Sequence, residues 1–169
     1  MEKGVLTTLP QLAVARAFDR IFEENDEAVT SQTYATTDRL EISRSSYWRN
    51  RARFVEARRR LKSTVMLTSG WDTYGAEAPS DVARAAAASI LEVLETDSLT
   101  PAHLMASSEG GIAISFVEGD KRAEIELYNT GEVAVATYSV GRDATAWELD
   151  NTESAVKDAI LKIRVHLAI

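Results

Sequence analysis

The chain has 169 residues, of which 45% are apolar and 27% charged, the proportions of an ordinary globular protein. These values exclude a wholly disordered chain, a collagen-like repeat and a membrane protein. The absence of cysteine excludes disulfides, thiolate nucleophiles, zinc fingers and iron–sulfur clusters. The net charge of −7 is unevenly divided, because residues 1–70 carry 12 Lys/Arg and 9 Asp/Glu whereas residues 71–169 carry 7 and 17. Such an asymmetry indicates interaction with another macromolecule.

The first residues lack the pattern of a targeting signal. The start, MEKGVLTTLPQ, has one Lys and no unbroken apolar run. Nowhere do about 18 apolar residues follow one another, as a transmembrane helix requires. We expect a cytoplasmic protein with no membrane contact.

The N-terminal part is predicted to be a helical, basic arm over residues 1–69. One helix begins near Pro10, a short one lies within 30–40, and a long one runs from Arg44 to Met66 with Ser43 as its N-cap. The apolar stripe of the long helix is Tyr47, Phe54, Ala57, Leu61 and Val65, and Trp48 and Val55 lie on an adjacent face.

The beginning of this long helix resembles a helix-turn-helix motif. The run LEISRSSYWR at 40–49 is similar to the "L-G-I-S-R-S-T-Y-Y-R" runs found where the turn meets the recognition helix. The resemblance implies that one set of residues contacts phosphates and base edges. The nucleic-acid-binding candidates are Ser45, Ser46, Arg49, Arg53 and Arg60. The alternatives are an amphipathic helix with a solvated basic face and an arm that binds a partner or a second copy of the chain.

Residues 70–169 are predicted to form an acidic α+β domain. Ser80 caps a helix over Asp81 to Glu95, and Asn151 or Thr152 caps a final helix. The stripe of the first helix includes Val82, Ala86, Ile90 and Val93/Leu94. Three strands, 111–118, 121–128 and 132–138, alternate in polarity, and the short polar turns between them predict an antiparallel meander. A fourth strand is predicted around Trp147. Strands that follow helices without βαβ alternation indicate the α+β class.

A second resemblance spans about residues 69–166. The run GWDTYGAEAPS, a helix, SSEGGIAISF, and the acidic meander KRAEIELYNTGEVAVATY are similar to a group of small bacterial proteins with an "N/G-W-D-G-Y-G-A-x-P" signature. The resemblance implies an origin in a phage-related or mobile region, and the group has no established activity. Trp71, Asp72, Tyr74 and Gly75 form its signature loop. We interpret that loop as structural, with Asp72 accepting backbone N–H bonds and Gly75 allowing a positive φ; a ligand clamp is the alternative.

Few residues suggest catalysis. His103 and His166 have no partner at a recognisable spacing, and phosphate-binding glycine loops are absent, so we predict no catalytic residue, metal or cofactor. Glu124 and Glu126 share one face of a predicted strand and, with Asp72, could hold a hard cation. Carboxylates on the open face of an antiparallel sheet are usually just solvated, which is the interpretation we prefer.

The sequence therefore favours a non-enzymatic, antitoxin- or inhibitor-like protein that recognises a partner protein. An acidic domain suits a basic partner, and the arm could form a homodimer or contact a second partner. The alternatives are a DNA-binding regulator that uses the basic helix 44–62 and a metal-dependent hydrolase.

Overall fold

A computed structural model describes residues 39–150 and 152–168, with side chains described from residue 48 onward. The helix predicted near Pro10, and the part of the 30–40 prediction that precedes Arg39, lie outside the described residues. The described helices are α1 (Arg39–Ser63), α2 (Asp81–Thr96) and α3 (Glu153–Leu167), with a 3₁₀ turn at Thr64–Met66. The strands are β1 (His103–Ser107), β2 (Gly111–Glu118), β3 (Lys121–Tyr128), β4 (Val133–Ser139) and β5 (Thr145–Glu148).

The basic helix α1 begins earlier than predicted. Residues 40–43 are helical, so Ser43 lies inside α1 and its prediction as the N-cap is wrong. Leu, Glu and Arg are strong helix formers, which explains why the helix includes Arg39 and the residues just after it. In the helix-turn-helix resemblance these residues belong to the turn, whereas here they are helical. At the other end, the prediction that Val65 belongs to the buried stripe is wrong, because Val65 is 60% exposed. Thr64 is buried in its place.

The other two helices have the predicted caps. The hydroxyl of Ser80 accepts a hydrogen bond from the Ala83 N–H at 3.1 Å, and that of Thr152 accepts one from the Ala155 N–H at 3.3 Å. Each cap satisfies a backbone donor that has no partner within its own helix. Three residues of the predicted stripe of α2 are buried: Ala86, Ile90 and Leu94. Val82 is 54% exposed instead, and its neighbour Ala83 is buried.

The strands form one antiparallel sheet in the order β1-β2-β3-β4-β5, which confirms the α+β class. The predicted meander corresponds to β2, β3 and β4, and the strand around Trp147 is β5. We did not predict β1, the edge strand that pairs Leu104 with Ile114. It is only five residues long, and Met105 lies between His103 and Ser107 on one face, so it has little alternation for a sequence pattern to detect.

The core lies between one face of the sheet and the helices. α2 packs against β2 and β3, α3 packs against β3 and β4, and α1 packs against α2 and β1. Phe54, Ala57 and Leu61 of α1 belong to the same hydrophobic cluster as the inward side chains of the sheet. The described residues, 39–150 and 152–168, belong to one compact unit. The division between 1–69 and 70–169 stays a prediction, and the described part of α1 shares the core of the residues that follow it.

Within the described ranges, no helix combines the length and the apolar character needed to cross a membrane.

Candidate functional site

The predicted nucleic-acid-binding residues all lie on α1. Ser45 and Ser46 are in its first half, where only the backbone is described. Arg49, Arg53 and Arg60 are exposed, as the helical periodicity indicated. Arg53 and Arg60 are seven residues apart, so they lie two turns apart on one side of the helix.

Ion pairs neutralise part of the positive charge of α1. The Glu56 carboxylate accepts hydrogen bonds from Arg59 Nε at 2.7 Å and from Arg60 Nε at 2.8 Å. These two bonds, first that from Arg59, lower the pKa of Glu56 to about 2. Arg58 reaches across to α2 and pairs with Glu95 at 2.7 Å. Arg49 and Arg53 make no ion pair with any residue that the structure describes, so their charges are not neutralised within that part of the chain.

A small cleft of about 60 Å³ separates α1 from the edge strand β1. Arg53 and Arg60 line it from the helix, and Pro101 and His103 line it from the sheet. Burial, followed by repulsion from Arg60 and Arg53, lowers the pKa of His103 below its ordinary value. His103 is therefore favoured in its neutral form beside two guanidinium groups, and the Glu56 carboxylate, which also lines the cleft, offsets one of the two positive charges.

The face of α1 opposite the core exposes apolar side chains. Trp48 is 60% exposed and Val55 is 61% exposed, and their spacing of seven residues places them on the same side. Phe54 and Leu61, also seven residues apart, are buried on the other side. The helix is thus apolar on two faces, and among the described residues the core packs against one of them.

The signature loop is held by its own hydrogen bonds. Asp72 Oδ1 accepts from the Tyr74 and Ala76 N–H groups, each at 2.9 Å, as expected. The bond from Ala76 is the main reason that the pKa of Asp72 lies below its usual value. Gly75 has the expected positive φ of 95°, and the Trp71 indole donates to the Glu77 carbonyl at 3.3 Å. Tyr74 is 80% exposed at the tip of the loop.

The specific positions of the second resemblance meet at the start of α2. Asn129, in the β3–β4 turn, accepts from the Ser80 N–H at 2.6 Å and donates to the Ala78 carbonyl at 3.0 Å. Gly110 lies against Asn129, where a Cβ would come within 3.3 Å of its amide nitrogen. At Gly111, with φ of 144°, a Cβ would come within 2.0 Å of the Leu127 carbonyl oxygen. These contacts give the glycine pair and the loop a shared structural role.

The acidic face of β3 is not simply solvated, and that prediction is wrong for Glu126. Glu126 is 8% exposed, accepts a very short hydrogen bond from the Ser107 hydroxyl, and accepts another from the Tyr128 hydroxyl at 3.1 Å. Glu124, the next outward residue on the strand, has its pKa raised to about 8 by burial and then by repulsion from Glu126. Hydroxyl donors from two strands stabilise one carboxylate while its neighbour is kept largely protonated.

A histidine, a serine and a glutamate lie side by side on this face. The strand register pairs His103 with Ser115 and Ser115 with Glu124. The Ser115 hydroxyl is buried and makes no hydrogen bond within the described chain, so no base is in contact with it to activate it as a nucleophile.

Among the described residues, no three acidic or histidine side chains are arranged to hold a metal ion. His166 contacts the Tyr138 carbonyl at 3.0 Å and links α3 to β4.

No protein-family model, curated protein or solved structure matches the chain. The two similarities noted from the sequence therefore stand as resemblances.

Sequence reasoning missed the residues that matter only through long-range pairing. Ser107 and Ser115 belong to strands whose partners are distant in the chain, and Asn129 reads as an ordinary turn residue. The one local signal was the alternation of Glu124 and Glu126 with apolar residues, which identified their shared face but not its burial.

Proposed function

We propose that the protein is a non-enzymatic, antitoxin- or inhibitor-like binding protein that recognises a protein partner through the exposed face of α1. The observation that carries the proposal is the pair Trp48 and Val55, exposed beside arginines on a helix whose opposite face is buried in the core. Trp and Arg are the residue types most enriched at interface hot spots. A helix held by its own core presents them with little ordering cost on binding.

The negative charge of residues 71–169 supports the proposal that the partner is basic. Residues 71–169 have ten more acidic than basic side chains, so a basic partner is attracted to this part of the protein over a distance. Complementary charge accelerates encounter and disfavours wrong partners, whereas apolar anchors contribute most of the affinity.

A site-specific crosslink tests the interface. A photoreactive amino acid replaces Val55 in the native host, and the same group replaces Leu161 of α3, which is 62% exposed, as the matched control. We expect a discrete adduct from position 55 that position 161 does not form. The affinity of the purified partner should then fall at least about tenfold in Val55→Glu and stay unchanged in Leu161→Glu. Equal loss in both variants, or no adduct at position 55, contradicts the proposal.

DNA binding by α1 is a second candidate, favoured by the exposed guanidinium groups of Arg49 and Arg53, which form no ion pair with any described residue. Lys and Arg that neutralise phosphates release counterions, so the affinity for a duplex should fall steeply with salt. We expect a duplex from the protein's own promoter to bind at low salt. The variant Arg49→Glu/Arg53→Glu should lose that binding, and a single Arg53→Gln should reduce the slope of log affinity against log salt by about 1.

The matched control for DNA binding is Arg142→Glu, which reverses an exposed charge in the turn between β4 and β5. Retention of full affinity by the Arg49→Glu/Arg53→Glu variant, or equal loss in the control, would exclude α1 as the DNA-contacting element.

A further inference from the structure

The strand β5 is an edge of the sheet whose outer backbone groups are open. The Leu149 N–H donates to the Val133 carbonyl at 2.8 Å, next to the pairs that join β4 and β5. Because hydrogen-bonded and non-hydrogen-bonded pairs alternate along an antiparallel ladder, Ala146 and Glu148 direct their N–H and C=O groups away from β4. Among the residues that the structure describes, none bonds to these groups. β5 therefore presents donors and acceptors with which another strand can pair.

β5 is held in place by the inner side of the fold. Its register with β4 is regular over all four of its residues. Trp147 and Leu149 pack against the hydrophobic core, and the Lys162 Nζ of α3 lies 5.2 Å from the centre of the Trp147 ring, a cation–π contact. The edge is thus ordered before a partner arrives, so pairing requires little ordering of this chain.

β5 lacks the features that usually prevent an edge strand from pairing. Its four residues include no proline and no lysine, and its register contains no bulge. At the opposite edge of the sheet, β1 has α1 packed against it. The outer edge of β5 is therefore the part of the described sheet that is best suited to accept a strand.

The charges around this edge determine which kind of strand fits it. Residues 142–150 contain the exposed Asp143, Glu148 and Asp150 and one basic residue, Arg142. Opposite charges across a strand pair are favourable, so a strand that carries Lys or Arg fits beside these carboxylates. A second copy of β5 would bring the same carboxylates against each other, which is unfavourable. The charges favour a basic strand from a different protein.

We propose that β5 binds an extended, lysine- or arginine-rich segment of a protein partner as a sixth strand of the sheet. The backbone of the segment pairs with Ala146 and Glu148, and its basic side chains lie beside the acidic ones. This deepens the proposed function and rests on it in one respect, namely that the partner is basic. β5 and β1 are opposite edges of the sheet, so this contact and the one through α1 are tested separately.

Titration of the full-length chain with a synthetic peptide of alternating lysine and valine tests this proposal, with amide chemical shifts to locate the contact. One control peptide has glutamate in place of lysine. The other keeps the composition and charge but has two adjacent central residues of the D configuration, which disrupts a regular strand. We expect saturable binding with a Kd of about 1 mM or tighter and shifts at residues 145–148. Both control peptides should bind at least about tenfold more weakly.

Variants of the protein place the contact at the edge. Ala146→Pro removes an outward N–H that the ladder with β4 does not use, and should weaken binding of the basic peptide at least about tenfold. Glu148→Lys should also weaken it, whereas Glu92→Lys, which reverses an exposed charge on α2, is the matched control and should keep full affinity. Val55→Glu, on the exposed face of α1, should keep full affinity as well.

The outcomes separate this proposal from the one for α1. No saturable binding, equal binding of the peptide with D residues, or equal loss in Glu92→Lys overturns it. Loss in Val55→Glu with full binding by Ala146→Pro also overturns it and leaves the contact through α1 standing. A dimer in sedimentation velocity that Ala146→Pro converts to a monomer would mean that a second copy occupies the edge instead. Peptide binding at β5 without a crosslink at position 55 would contradict the contact through α1 alone.

Discussion

The carboxylates of β3 show how two adjacent residues of one type acquire different chemistry. Glu124 and Glu126 both point to the face of the sheet opposite the helices, and both are largely withdrawn from water. Glu126 has two hydroxyl donors, from Ser107 and Tyr128. Glu124 lies opposite Ser115 and Ala136 in the register and faces the charge of Glu126. Hydrogen bonds hold the Glu126 side chain, whereas burial and the neighbouring charge favour the neutral form of Glu124.

This difference predicts how Glu124 affects stability as the pH changes. The pKa of Glu124 is raised from an ordinary 4.5 to about 8 in the folded protein. Between these values the unfolded chain loses its proton while the folded chain keeps it, so the free energy of unfolding falls as the pH rises. We expect Glu124→Gln to remove this penalty, with little effect near pH 4.5 and a gain of about 2–4 kcal/mol near pH 8.

Urea unfolding of the wild type and of Glu124→Gln, measured from pH 4.5 to pH 8.5, checks this expectation. The exposed Glu92 on α2 supplies the control Glu92→Gln. A Glu124→Gln stability difference that does not change across this pH range would show that the side chain titrates normally.

At the scale of elements, α1 is a helix with two roles. One face contributes Phe54, Ala57 and Leu61 to the core, and the other exposes Trp48 and Val55. Its basic character is the basis for the prediction that residues 1–69 form an arm separate from the acidic domain. Burial of its apolar stripe against α2 and β1 makes it part of the same packed unit.

Truncation of the buried face should therefore destabilise the whole domain. Phe54 is 3% exposed, and removal of a buried aromatic ring costs about 3–5 kcal/mol through lost burial and the cavity that remains. We expect Phe54→Ala to lower the free energy of unfolding by that amount, with circular dichroism of helix and sheet lost in one transition. The neighbouring Val55→Ala, on the exposed face, should change it by less than about 0.5 kcal/mol. Equal effects of the two substitutions would place the core contact elsewhere.

For the whole molecule, the arrangement of layers determines where a shorter chain can begin. The sheet carries helices on one face, and α1 completes the packing at the β1 edge. A chain that starts at Ser69 keeps every strand but leaves Leu104 and neighbouring core side chains without the α1 contacts. Exposure of that apolar surface to water is unfavourable.

We expect the chain that starts at Ser69 to lose cooperative unfolding and to bind a hydrophobic dye, as loosely packed states do. Thermal unfolding followed by near-ultraviolet circular dichroism, beside the full chain, measures this. A sharp transition with native near-ultraviolet signal in the shorter chain would mean that residues 70–169 fold alone, as the sequence analysis assumed.

The sequence by itself determined the elements whose pattern repeats within a short window. The caps Ser80 and Thr152 follow from local hydrogen bonding, and the alternation in β2, β3 and β4 follows from local periodicity. The α+β class followed from their order along the chain.

Only the tertiary structure decided which surfaces are covered and which polar groups meet. The edge strand β1 forms because β2 offers it a partner, and Glu126 is buried because Ser107 and Tyr128 supply donors. Such contacts join residues far apart in the chain, and their energies depend on a geometry that no local window of sequence contains.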